Sequence, residues 1–110
     1  MIPVRPLLLA LCAGLFLFAP LTAKAEEYVL TLKNKQFSPK ELAIPAGQKI
    51  RLMIKNQDAG PAEFESSDLN REKIVPANGE VIVFIGPLSA GRYGYFDDFH
   101  RETTGTIIAK

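Results

Sequence analysis

The sequence predicts an all-β protein, an eight-stranded Greek-key sandwich. Three observations lead there. Apolar and polar residues alternate with period two over several short segments. Glycine or proline interrupts these segments at spacings of roughly 8–12 residues, the rhythm of sandwiches and small barrels. Beyond position 25, no window of eleven residues carries a helical apolar stripe.

The elements follow in order. Tyr28 to Leu32 alternates and is rich in β-formers, and Glu41 to Ile44 is closed by Pro45-Ala46-Gly47. In Ile50 to Lys55, the residues Ile50, Leu52 and Ile54 point one way and Arg51, Met53 and Lys55 the other, which describes a half-buried strand. Ala62 to Glu65 and Lys73 to Val75 are short strands. Val81 to Ile85 is apolar on both faces, as a central strand would be, and stops at Gly86-Pro87; that double apolarity also leaves room for a dimer face. Arg92 to Phe96 and Thr104 to Ala109 complete the set, with a loop expected between them.

Residues 1–25 stand apart. Arg5 precedes the apolar run Leu7 to Phe18, and the stretch closes on Ala23-Lys24-Ala25. A basic start, a short apolar centre and an A-x-A end read as a cleaved secretory signal, with Pro20 arguing against a membrane-spanning helix. A mature domain over 26–110 and a periplasmic location are therefore expected. Removing the leader leaves 85 residues with 11 basic and 12 acidic side chains, a net charge of −1. That balance speaks against a nucleic-acid binder, which carries a clear basic surplus on one face. The leader also takes Cys12, the single cysteine. Without it the domain has no thiolate zinc site, no iron–sulfur cluster and no cysteine nucleophile.

Few residues remain to carry chemistry. His100 is the single histidine, and none of Ser38, Ser66, Ser67 and Ser89 sits on a nucleophile elbow, so hydrolase chemistry is unsupported. The segment Tyr93 to Gly105 stands out because it packs Asp97, Asp98, His100 and Glu102 into a few residues. Asp97 and His100 are spaced so that a tight turn folds both onto one ion. A second acidic spot is Pro61 to Glu65, where Glu63 and Glu65 share a face while Phe64 points to the core. Set beside the last loop, this segment would complete a site of carboxylates and one imidazole. Such a donor set suits Cu(II) or iron, not Cu(I), which takes sulfur. Each residue also has a plainer reading: Asp97-Asp98 as turn formers, His100 as a surface residue, Glu65 and Glu102 as solvated charges. Glu72 is expected to pair with Arg71 or Lys73, Met53 to pack at a sheet edge, and Tyr93 and Tyr95 to fill the core or make a corner hydrogen bond.

Phe37-Ser38-Pro39-x-x-Leu42, Pro45-Ala46-Gly47, Asn56, Gly91-Arg92-Tyr93 and Gly105-Thr106-Ile107 resemble a cupredoxin. Pro61 to Ser66, Arg71-Glu72-Lys73 and Tyr95 to His100 are similar to the EfeO-type cupredoxin-like domain of bacterial periplasmic iron-uptake systems, across Tyr28 to Ala109. In electron-transfer cupredoxins, copper sits between two histidines, a cysteine thiolate and an axial methionine. The resemblance places Glu63 at the first histidine, Asp97 at the cysteine, His100 at the second histidine and Thr103 at the methionine. It thus implies a non-blue copper or iron site of Glu63, Asp97 and His100, with Glu65, Glu102 and Asp98 in support. It further implies a membrane iron permease and a second periplasmic iron-binding protein as partners, with a role in ferrous iron oxidation or delivery. The competing expectation is a metal-free interaction module that has kept the fold and docks onto a transport partner.

Overall fold

Nine strands in two facing sheets make up residues 25–110, the part of the chain that the computed structural model describes. The expected leader, Ala25 excepted, and Cys12 with it, lie outside the described residues. The strands are β1 (Glu26–Lys33), β2 (Gln36–Ser38), β3 (Glu41–Ile44), β4 (Ile50–Asn56), β5 (Ala62–Ser66), β6 (Arg71–Val75), β7 (Glu80–Ile85), β8 (Gly91–Asp97) and β9 (His100–Ala109). One sheet runs β2-β1-β4-β7 and the other β3-β9-β8-β5-β6. The pairs β1/β4 and β3/β9 are parallel, and the remaining pairs are antiparallel. Among the described residues there is no helix, as the missing helical stripe predicts.

The period-two pattern becomes the core directly. Leu30 and Leu32 of β1, Ile50, Leu52 and Ile54 of β4, and Val83 and Ile85 of β7 point inward from one sheet. Leu42, Ile44, Phe64, Val75, Tyr95, Ile107 and Ala109 meet them from the other. Fully burying one such Leu, Ile or Phe contributes roughly 1.5–3 kcal/mol. Packing of this kind must hold together a domain that has no disulfide among its described residues.

Three expectations change. The sequence reading misses β2, three residues ending just before Pro39; its Phe37 is buried and meets Tyr95 edge-to-face at 5.0 Å. β7 is an edge strand, not a central one, because only β4 pairs with it. Its outer side shows why it looked central: Ile82 aligns with Met53 and Val29 in an apolar row, and Phe84 lies under the Lys49 ammonium at 5.0 Å. Arg71 reaches over from β6 and donates to the Phe84 carbonyl at 2.8 Å, which blunts the open edge. Lastly, the loop expected between the final two strands shrinks to the two-residue turn Asp98-Phe99, and β9 begins at His100.

The two tyrosines divide the roles expected of them. Tyr93 donates to the Ser89 carbonyl at 2.8 Å, a corner hydrogen bond. Tyr95 is 2% exposed, packs on Phe37 and Phe64, and its Oη finds no hydrogen-bond partner. Burial pushes its phenol above the ordinary range. A buried hydroxyl without a partner costs the desolvation of that group and returns nothing. Tyr95→Phe is therefore expected to stabilise the fold by about 1 kcal/mol. A urea titration at neutral pH measures it as a higher midpoint at unchanged slope.

Candidate metal centre

The β8–β9 hairpin presents Asp97 at one end of the sandwich. Asp97 pairs with Phe64 across β5, and Phe64 is a core residue, so the Asp97 carboxylate also points inward and is 1% exposed. Its Oδ1 accepts the backbone N–H of Glu63 at 2.9 Å and that of Phe99 at 3.0 Å. Its Oδ2 meets His100 Nδ1 at 2.9 Å. The carboxylate thus ties β5, the turn and the start of β9 together. Asn56 braces the facing loop: its Nδ2 donates to the carbonyls of Gly60 and Val75, and its Oδ1 accepts from the Asp58 N–H. Asp58 in turn accepts the N–H groups of Asn34 and Lys35, and these bonds hold its carboxyl below the ordinary range.

A blue-copper centre does not fit this end. Asp97 and His100 face a cavity of about 20 Å³, and the residue that shares it from β5 is Ala62, not Glu63. Glu63 leaves β5 on the opposite face, because Ala62, Phe64 and Ser66 occupy the inward positions. The correction is one of strand alternation: neighbouring residues cannot both face the ion, and the inward place belongs to alanine. Thr103, which the resemblance sets at the axial methionine, donates its hydroxyl to the Lys35 carbonyl at 2.8 Å. Asp58 also lines the cavity, but its two oxygens already accept the Asn34 and Lys35 N–H groups. That leaves Asp97 and His100, each bonded to the other, with no thiolate among the described residues. Blue copper takes two histidines and a cysteine.

The carboxylates gather instead on the outer face of the five-stranded sheet. Glu63 and Glu65 point outward from β5, and Glu72 of β6 stands directly opposite Glu65 in register. Oxygens of the three approach to within 4.8 Å of one another. Asp98 adjoins them from the hairpin turn, bridged to Arg101 at 2.7 Å. Proton sharing with Glu72, partial burial, the Glu72 charge and Asp98 push Glu63 up to about 7. Partial burial and the charges of Glu72 and Asp98 also raise Glu65, with Arg101 opposing. The sequence reading expects Glu72 to pair with Arg71 or Lys73. It misses this residue because only the β5/β6 register brings it beside Glu65.

An acid raised from its ordinary 4.5 to about 7 stays protonated in the folded chain after it has ionised in the unfolded one. The folded state then binds more protons between those values, so stability falls as pH rises from about 4.5 to about 7 and is level above. Glu72→Gln removes the largest cause of that shift. It is expected to stabilise the protein at pH 8 and leave it unchanged at pH 4, as thermal melts at the two pH values will report.

Of the six expected ligands, the structure therefore joins Glu63, Glu65 and Asp98 on one face and Asp97 with His100 at the sandwich end. Glu102 belongs to neither. The register between β8 and β9 jumps from Phe96↔Thr104 to Asp97↔His100, which leaves Arg101, Glu102 and Thr103 without partners on β8. Glu102 is exposed on that widened stretch and lines a groove with Lys35 and Lys40.

Comparison with known proteins matches this geometry to a fold family. A family model described as a cupredoxin-like domain matches residues 7–109. An uncharacterized protein of Rickettsia prowazekii (strain Madrid E) is 43% identical over 82 residues, 74% of this chain; the chain spans 66% of that relative's length. Auracyanin A, a blue copper protein of Chloroflexus aurantiacus, superposes with a TM-score of 0.68 at 15% identity, covering 79% of this chain and 100% of its own. A copper-binding protein solved in its apo form gives 0.70 at 16% identity, over 83% of this chain and 93% of its own. A purple cupredoxin from Nitrosopumilus maritimus gives 0.55 at 23%, over 77% and 99%. At these identities the structural likeness establishes the fold.

Proposed function

The chain belongs to the cupredoxin-like domain family, and from that premise we infer that it is a periplasmic cation-binding protein of an EfeO-type bacterial iron-uptake system. Its cargo is iron, held by the outer-face carboxylates and not at the Asp97–His100 end. One observation carries this reading: Glu63, Glu65 and Glu72 converge within 4.8 Å. Like charges directly opposite across a sheet destabilise it, and a bound cation removes that repulsion. Hard oxygen donors match iron in both oxidation states and favour the ferric ion more strongly. That preference makes a bound ferrous ion a better donor of its electron to an external acceptor. Open to solvent, the site also suits release to a membrane permease or a second periplasmic iron-binding protein.

Calorimetric titration of the purified protein tests it, with Fe(II) under anaerobic conditions and Cu(II) in air as probes. One ion per chain is expected, bound on the order of tenfold more weakly in Glu63→Gln and in Glu72→Gln. His100→Ala should stay within about twofold of wild type, since its ring lies off the carboxylate face. Loss of binding in His100→Ala with the glutamate variants unaffected would overturn the assignment and return the site to the hairpin end. A second reading draws on the Asp97 carboxylate, whose hydrogen bonds are satisfied from within the chain. It makes the protein a metal-free interaction module docking onto a transport partner, and no heat with either ion would favour it.

A further inference from the structure

We propose that the groove between the β1–β2 turn and the widened start of β9 binds a small anion carrying two or more carboxylates. The groove has a volume of about 480 Å³, within the range of small-molecule sites. Lys35, Phe37 and Lys40 line one part of it, and Glu102 and Thr103 another.

Lys35 carries the argument. It is the second residue of a two-residue hairpin turn, with φ of 56° after Asn34 at 53°. Turns with both central residues left-handed favour glycine in that second place, because a side chain there is strained. The chain keeps a lysine there and fixes its backbone on both sides. Asp58 Oδ2 accepts its N–H at 2.9 Å, and Thr103 Oγ1 donates to its carbonyl at 2.8 Å. Thr103 can do this because it lies on the stretch of β9 that has left the β8 ladder, and a break of this kind re-aims side chains. The tether therefore holds a strained lysine at the rim of the groove.

Charge then selects the ligand. Among the described residues, neither Lys35 nor Lys40 has a carboxylate at ion-pair distance. Lys35 and Lys40 share the groove with one carboxylate, that of Glu102, while Asp58, which lines the neighbouring cavity with Lys35, feels its charge without pairing with it. A monoanion engages one lysine at a time and gains little against salt. An ion with two or more carboxylates spans both, and Glu102 repels it.

The test is a citrate titration of the ¹⁵N-labelled protein at low ionic strength, followed through backbone amide shifts. Saturable one-to-one shifts are expected at residues 35–38, 40 and 102–104. Lys35→Gln and Lys40→Gln should each weaken binding roughly threefold, and Glu102→Gln should tighten it by a similar factor. Lys35→Gly should weaken binding equally while leaving the melting temperature unchanged or higher, which separates ligand loss from unfolding. Acetate and inorganic phosphate should bind at least about tenfold more weakly than citrate. Absence of saturable shifts, shifts spread over lysines elsewhere, or weaker binding in Glu102→Gln would overturn the proposal. Phosphate binding as tight as citrate would overturn the carboxylate assignment. None of these outcomes depends on the outer-face glutamates, so the two sites stand or fall separately.

Discussion

Gly105→Ala is expected to destabilise the domain by about 3 kcal/mol or more, lowering its melting temperature by roughly 15 °C. Gly105 lies in the middle of β9, directly opposite Tyr95 of β8. A Cβ at this position would come within 2.6 Å of Tyr95 Cε1 and closer still to Cζ and Oη. The ring cannot retreat, because Phe37 meets it edge-to-face at 5.0 Å and Phe64 lies at 5.1 Å on another side. The backbone of Gly105 is not in the left-handed region, so the penalty is one of space alone. That distinction has its own check. Trimming the ring in Tyr95→Leu should recover part of the loss, so the double variant should be more stable than the sum of the two single effects by about 1 kcal/mol or more. Strict additivity in denaturant titrations would show that the glycine is needed for some other reason.

The same glycine shows what the sequence could and could not reveal. Thr104 to Ala109 reads as a strand from its composition, and it is one. Nothing in that composition says that an aromatic ring lies across the glycine, because the partner is fixed by register with β8. Legibility ends at the same point elsewhere. Alternation in Ile50 to Lys55 yields the buried residues Ile50, Leu52 and Ile54 of β4. Alternation also puts Glu63 and Glu65 together on one face, as found. What alternation cannot supply is the neighbour across the strand. Glu72 therefore goes unrecognised beside Glu65, and Ala62 is overlooked as the residue facing His100. β7 looks central because an edge strand covered by Lys49 and Arg71 tolerates apolar side chains on both faces. The three residues of β2 leave too short a pattern to detect, and Lys35 looks ordinary until the turn gives it a positive φ.

Asp97→Ala carries the second large effect, and the way it fails bears on function. Metal ligation and structural bracing both make Asp97 indispensable, yet they predict different companions. In the ligand reading, Asp97 and His100 act as one unit, and removing either costs metal and leaves the fold intact. In the structure, Asp97 is buried and accepts two backbone N–H groups besides the imidazole. Removing it leaves the Glu63 and Phe99 amides without acceptors in a poorly hydrated place and opens the hairpin end. A loss of about 2–4 kcal/mol is expected. Asp97→Asn should recover part of it, since one amide oxygen can still accept from the backbone. His100→Ala should cost only about 1 kcal/mol, because its ring is 34% exposed and makes one of the three bonds. Denaturant titrations of the three variants decide the matter. If Asp97→Ala proves far less stable than His100→Ala, and His100→Ala keeps its cation affinity, Asp97 is the keystone of the hairpin. Cation chemistry is then left to the outer carboxylates. Equal and small losses from both alanine substitutions, accompanied by loss of Cu(II) binding, would instead make this pair a metal site that the fold has kept.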